Sequence, residues 1–232
     1  MDTKAILVFL RKLQANNEIA WMHENKDEYL NAKGEFELLL QGLMEGLEAA
    51  GVMQIAHLPR DLTFRLARDT RFSRDKSPYR PAFRAHLSPM GRRPIPTGAY
   101  LSLEPGRCIL GGGLFFSASS EATAMVRDEI CRNPEGFQTI LNTPAFQGRF
   151  ALQGERLKNV PKGYSKEHSL ADYLKHKSWF VEQLVPDEVV EDSPAFLDFA
   201  VAEFAHMQPL NDYLNLALAG FAPSGRCRPG GG

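Results

Sequence analysis

The sequence predicts an α+β fold: a central, mainly antiparallel sheet, hairpin or meander, covered by N- and C-terminal helices. Three observations carry that prediction. Apolar residues recur at helical spacing over the first 50 positions and again after 193. Between 62 and 114 the period falls to two, as in half-buried strands. A Glu104-Pro105-Gly106 turn then joins two of those strands, and only antiparallel strands can be joined so tightly.

Each element follows from its residues. Ile6, Leu10 and Leu13 mark a first helix, which Asn16-Asn17 break and re-cap. A second helix carries Trp21 and Tyr29. A third carries Phe36, Leu40, Leu43 and Leu47 and stops at Gly51. These three cover one side of the sheet. Leu62, Phe64 and Leu66 alternate with Thr63, Arg65 and Ala67 as a strand, and Phe83, Ala85 and Leu87 alternate with Arg84, His86 and Ser88 as another. Gly98–Leu103 and Arg107–Leu114 form the hairpin, because Pro presets φ at the second turn position and Gly supplies the positive φ at the third.

After the hairpin the period is helical again. Ser117 to Ser120 offer N-caps to a helix carrying Ala122, Met125, Val126 and Ile130, stopped by Asn133-Pro134. A shorter helix follows at Glu135–Leu141, then a strand at Phe150–Gln153, a loop at Lys158–Tyr164, a short helix at Leu170–Leu174 and a strand at Ser178–Leu184. Phe196, Phe199, Phe204 and Met207 define a helix ending before Pro209, and a last helix runs over Leu210–Ala219. Residues 1–224 are expected to form one domain, with a flexible Gly/Pro-rich tail at 225–232.

Composition restricts function without naming it. The chain has 232 residues, 44% of them hydrophobic, which is enough to build a core and excludes wholesale disorder. No apolar run approaches the roughly 20 residues that a membrane-spanning helix needs. No signal-like N-terminus precedes the first helix, so a cytoplasmic protein without membrane association is expected. Cys108, Cys131 and Cys227 form no CxxC pair, and the six histidines show no HxxxH or HExxH spacing, so neither a metal nor a cofactor is expected.

Charge is distributed unevenly. The 27 basic and 28 acidic residues nearly cancel, but residues 60–93 hold ten cations, nine of them arginine, against Asp61, Asp69 and Asp75. That segment carries an excess of +7 inside a chain of net charge −1. A nucleic-acid binder is usually basic throughout, so nucleic acid is the weakest of the readings. Within the segment, Arg65, Arg68, Asp69, Arg71, Phe72, Asp75, Lys76 and Tyr79 fall in one loop that Pro78 and Pro81 stiffen. Asp69 can cap its own turn and so aim the arginines beside it.

The stretch from Arg65 to Tyr79 resembles the signature RxxRDxRF…DKxxY of the bacterial domain-of-unknown-function family 2461. Further resemblances are Asn16-Asn17 with Trp21, the Gly98–Gly113 hairpin, Pro161-Lys162-Gly163-Tyr164 with His168, and Leu174-Lys175-His176-Lys177-Ser178. They span roughly residues 5–185. The resemblance implies no activity and assigns no catalytic residue. It places Arg65, Arg68, Asp69, Arg71, Phe72, Asp75, Lys76 and Tyr79 at the motif positions.

Three readings of the loop follow. It can bind a phosphate- or carboxylate-bearing small molecule through Arg65, Arg68, Arg71, Lys76 and Tyr79, supported by Asp69, Phe72 and Asp75, whether as part of an enzyme or not. It can be an internal salt-bridge network in a protein that works through a partner surface. It can contact nucleic acid. Gly111-Gly112-Gly113 offers a phosphate cradle or close backbone packing, and packing is favoured because no GxGxxG or GK[ST] accompanies it. His168 is the candidate acid/base, since histidine titrates near neutrality.

Overall fold

The computed structural model describes residues 1–115 and 119–222. Helix α1 (Thr3–Ala15) starts where the Asp2 carboxylate accepts the Ala5 N–H at 2.9 Å. It ends at Asn16, whose side chain donates to the Lys12 carbonyl. Helices α2 (Ile19–Glu24) and α3 (Lys26–Ala49) follow around Asn25. The junction puts Tyr29 on α3, not beside Trp21 on α2, because the Asn25 side chain takes up the Trp21 carbonyl and interrupts the helix there.

Next come α4 (Pro59–Leu62), β1 (Thr63–Phe64), β2 (Phe83–Leu87), β3 (Ala99–Leu103) and β4 (Cys108–Leu114). The strand expected from Leu62 to Leu66 shrinks to its two central residues. Pro59 seeds a helical turn through Leu62, and beyond Phe64 the chain leaves β2 for the arginine loop. The hairpin turn closes through Arg107 N–H to Glu104 carbonyl at 2.8 Å, with Gly106 at φ +77°. This is the type II geometry that Pro-Gly dictates.

Helices α5 (Ser120–Arg132), α6 (Pro134–Asn142) and α7 (Ala171–Leu174) lie between β4 and β5 (Trp179–Val185). Ser119 caps α5 by accepting the Ala122 N–H, while the N-cap offered at Ser117 lies outside the described residues. The strand expected at Phe150–Gln153 is reduced to one bridge, Gln153 to Phe180 at the sheet edge. The chain ends in α8 (Asp187–Glu191) and α9 (Ser193–Ala217). Pro209 does not divide α9. A proline inside a helix costs about 3 kcal/mol, but Met207, Leu210, Tyr213 and Leu214 are all buried on either side of it and hold the helix continuous. The tail expected at 225–232 lies outside the described residues.

The sheet is an antiparallel meander in the order β1-β2-β3-β4-β5. Alternation divides it into two faces. Phe83, Ala85, Leu87, Leu101, Leu103, Leu110, Trp179 and Val181 are buried in one core with α1, α3 and α9. Gly112 lets α9 approach on this side: a Cβ there would lie 3.0 Å from that of Met207. The register places Phe64, Arg84, His86, Tyr100, Phe180, Glu182 and Leu184 on the opposite face. That face is half-open: Arg84, Tyr100, Phe180 and Glu182 are partly exposed and Leu184 is 67% exposed. No helix among the described residues is long and apolar enough to cross a membrane.

Candidate functional site

The arginine loop is an extension of the β1–β2 pair. Arg68 N–H donates to the Pro78 carbonyl and Arg80 N–H to the Leu66 carbonyl, at 2.9 and 2.8 Å, around the Ala67–Tyr79 bridge. Asn17, in the break after α1, clamps the base of the loop by acting as a surrogate peptide. Its Nδ2 donates to the Tyr79 carbonyl at 2.8 Å, and its Oδ1 accepts the Tyr79 N–H at 3.1 Å.

Inside the loop the motif residues satisfy one another. Asp69 accepts the Arg71 backbone N–H at 3.2 Å and takes the Arg71 fork through Nε at 2.9 Å and Nη2 at 2.5 Å. That fork holds the Asp69 carboxyl down at about 2. Asp75 accepts the Ser77 hydroxyl and N–H at 2.7 and 2.9 Å and pairs with the Arg68 guanidinium. Ser77 first, then Arg68, hold its carboxyl well below the usual range. Lys76 Nζ donates to the Thr70 carbonyl at 2.9 Å.

The guanidiniums of Arg68 and Arg71 are therefore already engaged by carboxylates of their own loop. Arg65 is exposed and contributes only weakly to the Asp69 field. Tyr79 packs partly buried against the core. Phe72 stands 96% exposed at the loop tip, with Arg71 over its ring at 6.0 Å.

The loop delivers the chain to Arg80, and from there to Arg84 on the half-open face. Arg84 lies over the Phe64 ring at 5.5 Å and beside Tyr100. Burial lowers its pKa, and the nearby Arg80 guanidinium pushes in the same direction. Tyr100 and the more distant Glu104 only partly oppose them. No carboxylate among the described residues forms an ion pair with Arg80 or Arg84, and the Arg84 Nε is shut off from solvent without an acceptor. His86, in the next row of the same face, is 6% exposed, and burial pushes its pKa down to about 4. Neutral at physiological pH, it adds no charge to the two guanidiniums.

In the sequence Arg80 stands only in the basic count, and Arg84 only as an outward residue of the strand around Phe83 and Ala85. Alternation puts Arg84 on the face away from Phe83 and Ala85, but it does not show that no carboxylate meets it there. The triple glycine is packing. Gly112 meets α9, the Phe115 ring covers Gly111, and Gly113 sits at φ +112° against the backbone of β5. Asn211 of α9 accepts the Gly113 N–H at 2.8 Å.

His168 lies on a separate segment, where its Nδ1 accepts the Leu170 N–H at 3.0 Å. Cys108 is a buried thiol, pushed up to about 12 by burial and so unreactive at neutral pH. No group of three or more His, Cys, Asp or Glu among the described residues could hold a metal ion.

Fold and site define an α+β protein with a self-tied arginine loop at the edge of a half-open antiparallel sheet. The family model described as conserved hypothetical protein (DUF2461) matches residues 5–213, and the chain belongs to that family. No curated protein and no solved structure matches the chain.

Proposed function

We propose that the protein binds a small phosphate- or carboxylate-bearing ligand on the half-open face of its sheet, with Arg84 and Arg80 as donors and the Arg65–Tyr79 loop as the rim. The carrying observation is the pair itself: two neighbouring guanidiniums that no carboxylate among the described residues ion-pairs, one of them with an unaccepted Nε–H. A buried donor without a partner costs about 1–3 kcal/mol, and the like charge of Arg80 nearby adds to that cost. An anion placed between them relieves both at once, and the fork geometry of arginine suits carboxylate and phosphate oxygens. The aromatic cluster of Tyr100, Phe115 and Phe180, with Phe115 packed between the other two, stands beside the charge as the apolar surface for the remainder of the ligand.

The test is a thermal-shift series with phosphorylated metabolites, nucleotides and dicarboxylates. A ligand at 100 times its dissociation constant stabilises by about 2.7 kcal/mol, worth about 5–10 °C in a chain of this size. Arg84→Met should keep the fold, gain or hold melting temperature without ligand, and lose the shift. A shift that survives in Arg84→Met refutes the assignment.

The Arg68–Asp75 and Arg71–Asp69 pairs favour a scaffold role for the inner loop. That role is compatible with the proposal, since the scaffold is what places Arg80. The exposed Phe72 beside Arg71 is the feature a single-stranded nucleic acid would use.

A further inference from the structure

A second basic feature lies away from the loop, in the chain between α6 and β5. Lys158, Asn159, Val160, Lys166, His168 and Lys175 line a cleft of about 470 Å³, together with Asp172 and Tyr173. That volume suits a small metabolite. The wall that carries Lys175 is tied down. Leu157 N–H donates to the Lys175 carbonyl at 2.8 Å and Lys177 N–H to the Glu155 carbonyl at 2.7 Å, on either side of the Arg156–His176 bridge. Behind them, the buried Arg127 of α5 donates to the carbonyls of Leu174 and His176, both at 2.8 Å, and lies over the Trp179 ring.

The lining has a definite charge. Three lysines face one aspartate, and Lys175 pairs with that Asp172 at 2.6 Å. Lys158 and Lys166 remain without a carboxylate partner among the described residues, which leaves an excess of +2. His168 adds direction. Because its Nδ1 accepts the Leu170 N–H, the neutral ring carries its hydrogen on Nε2, as a donor. We infer that this cleft is a binding site for a phosphate monoester, whose dianionic group matches the two unpaired lysines and takes a hydrogen bond from His168 Nε2. Ammonium groups serve as point-charge partners for phosphate and do not require the planar fork that carboxylates favour. This site is independent of the sheet-face proposal.

The experiment uses the full chain carrying Arg84→Met, so that the sheet-face site is silent. Glycerol 3-phosphate is titrated by calorimetry while the histidine ring resonances are followed by NMR, with glycerol and succinate as controls. The expected result is binding of glycerol 3-phosphate with a shift of the His168 ring signals, and no binding of glycerol. The Lys158→Gln/Lys166→Gln double variant, checked for native circular dichroism, should weaken binding by tenfold or more. Both lysines are exposed, so the fold should survive. The inference is overturned if glycerol 3-phosphate does not bind, if succinate binds equally well, if the double variant binds unchanged, or if the His168 signals stay still.

Discussion

Gly113 is the position where packing and backbone conformation can be tested together. An alanine there keeps φ at +112° only under strain, and its Cβ would lie 2.4 Å from the Trp179 carbonyl oxygen and 2.7 Å from the Phe180 Cα. Both obstacles are backbone, so no side-chain rotation relieves them. Strain at such a φ costs about 1–3 kcal/mol, and overpacking a further 1–3 kcal/mol. If β4 moves away, the buried bond from Gly113 N–H to Asn211 is strained as well. Gly113→Ala should therefore cost about 2–6 kcal/mol. Gly106→Ala is the control: its φ is +77° with nothing within 4 Å of the new Cβ, so only the left-handed penalty of about 1–2 kcal/mol applies. At about 2–4 °C per kcal/mol for a chain this long, scanning calorimetry should separate the two variants clearly. Equal melting temperatures would refute close packing as the reason for the triple glycine. Unchanged stability with lost phosphate binding would restore the cradle reading.

Three other outcomes are expected. Arg68→Ala and Arg71→Ala break exposed pairs, so the melting temperature should hardly move. Limited trypsinolysis at Arg74 and Lys76 should nevertheless quicken as the loop loses its internal ties, and a melting-temperature loss as large as that of Gly113→Ala would contradict this. His86 has a folded pKa of about 4, below its ordinary value, so its contribution to stability is complete above about pH 6.5. It is lost as pH falls toward 4, where the unfolded chain binds a proton that the native ring refuses, at about 3 kcal/mol in total. Buried His176 acts in the same direction, and urea midpoints for His86→Gln should fall less steeply over that range than those of the parent. Arg127→Met leaves the carbonyls of Leu174 and His176 without their donor, at about 1–3 kcal/mol each, and Arg127→Lys should recover only part of the loss in denaturation midpoint.

The architecture was legible because its signals are local. Phe83, Ala85 and Leu87 alternate, and Pro105-Gly106 admits one turn type, so β2 to β4 follow from short stretches of chain. What could not be read depends on distant partners. Pro209 ordinarily ends a helix, yet α9 continues because the sheet buries residues on both sides of it. Phe150–Gln153 alternates like a strand, but the sheet edge offers only a single bridge at Phe180. At the site, the sequence showed that Asp69 and Asp75 could neutralise their neighbours. Whether they do so depends on side-chain geometry, which composition does not carry. Alternation turned Arg84 away from the core, but that no carboxylate among the described residues pairs with it is a matter of side-chain geometry, which has no sequence signature.

The end of β4 and the start of β5 are register partners, Leu114 opposite Trp179. The chain that joins these two strands thus departs from and returns to one point of the sheet. It is fastened near that point by the Gln153–Phe180 bridge and by the Trp179 indole on the Tyr173 carbonyl. Opening there would release the β4–β5 ladder and the walls of the His168 cleft in one cooperative event, so that amides of Trp179 and Lys177 should exchange at a common rate. Ligand bound in the cleft would slow that exchange in a strand it never touches.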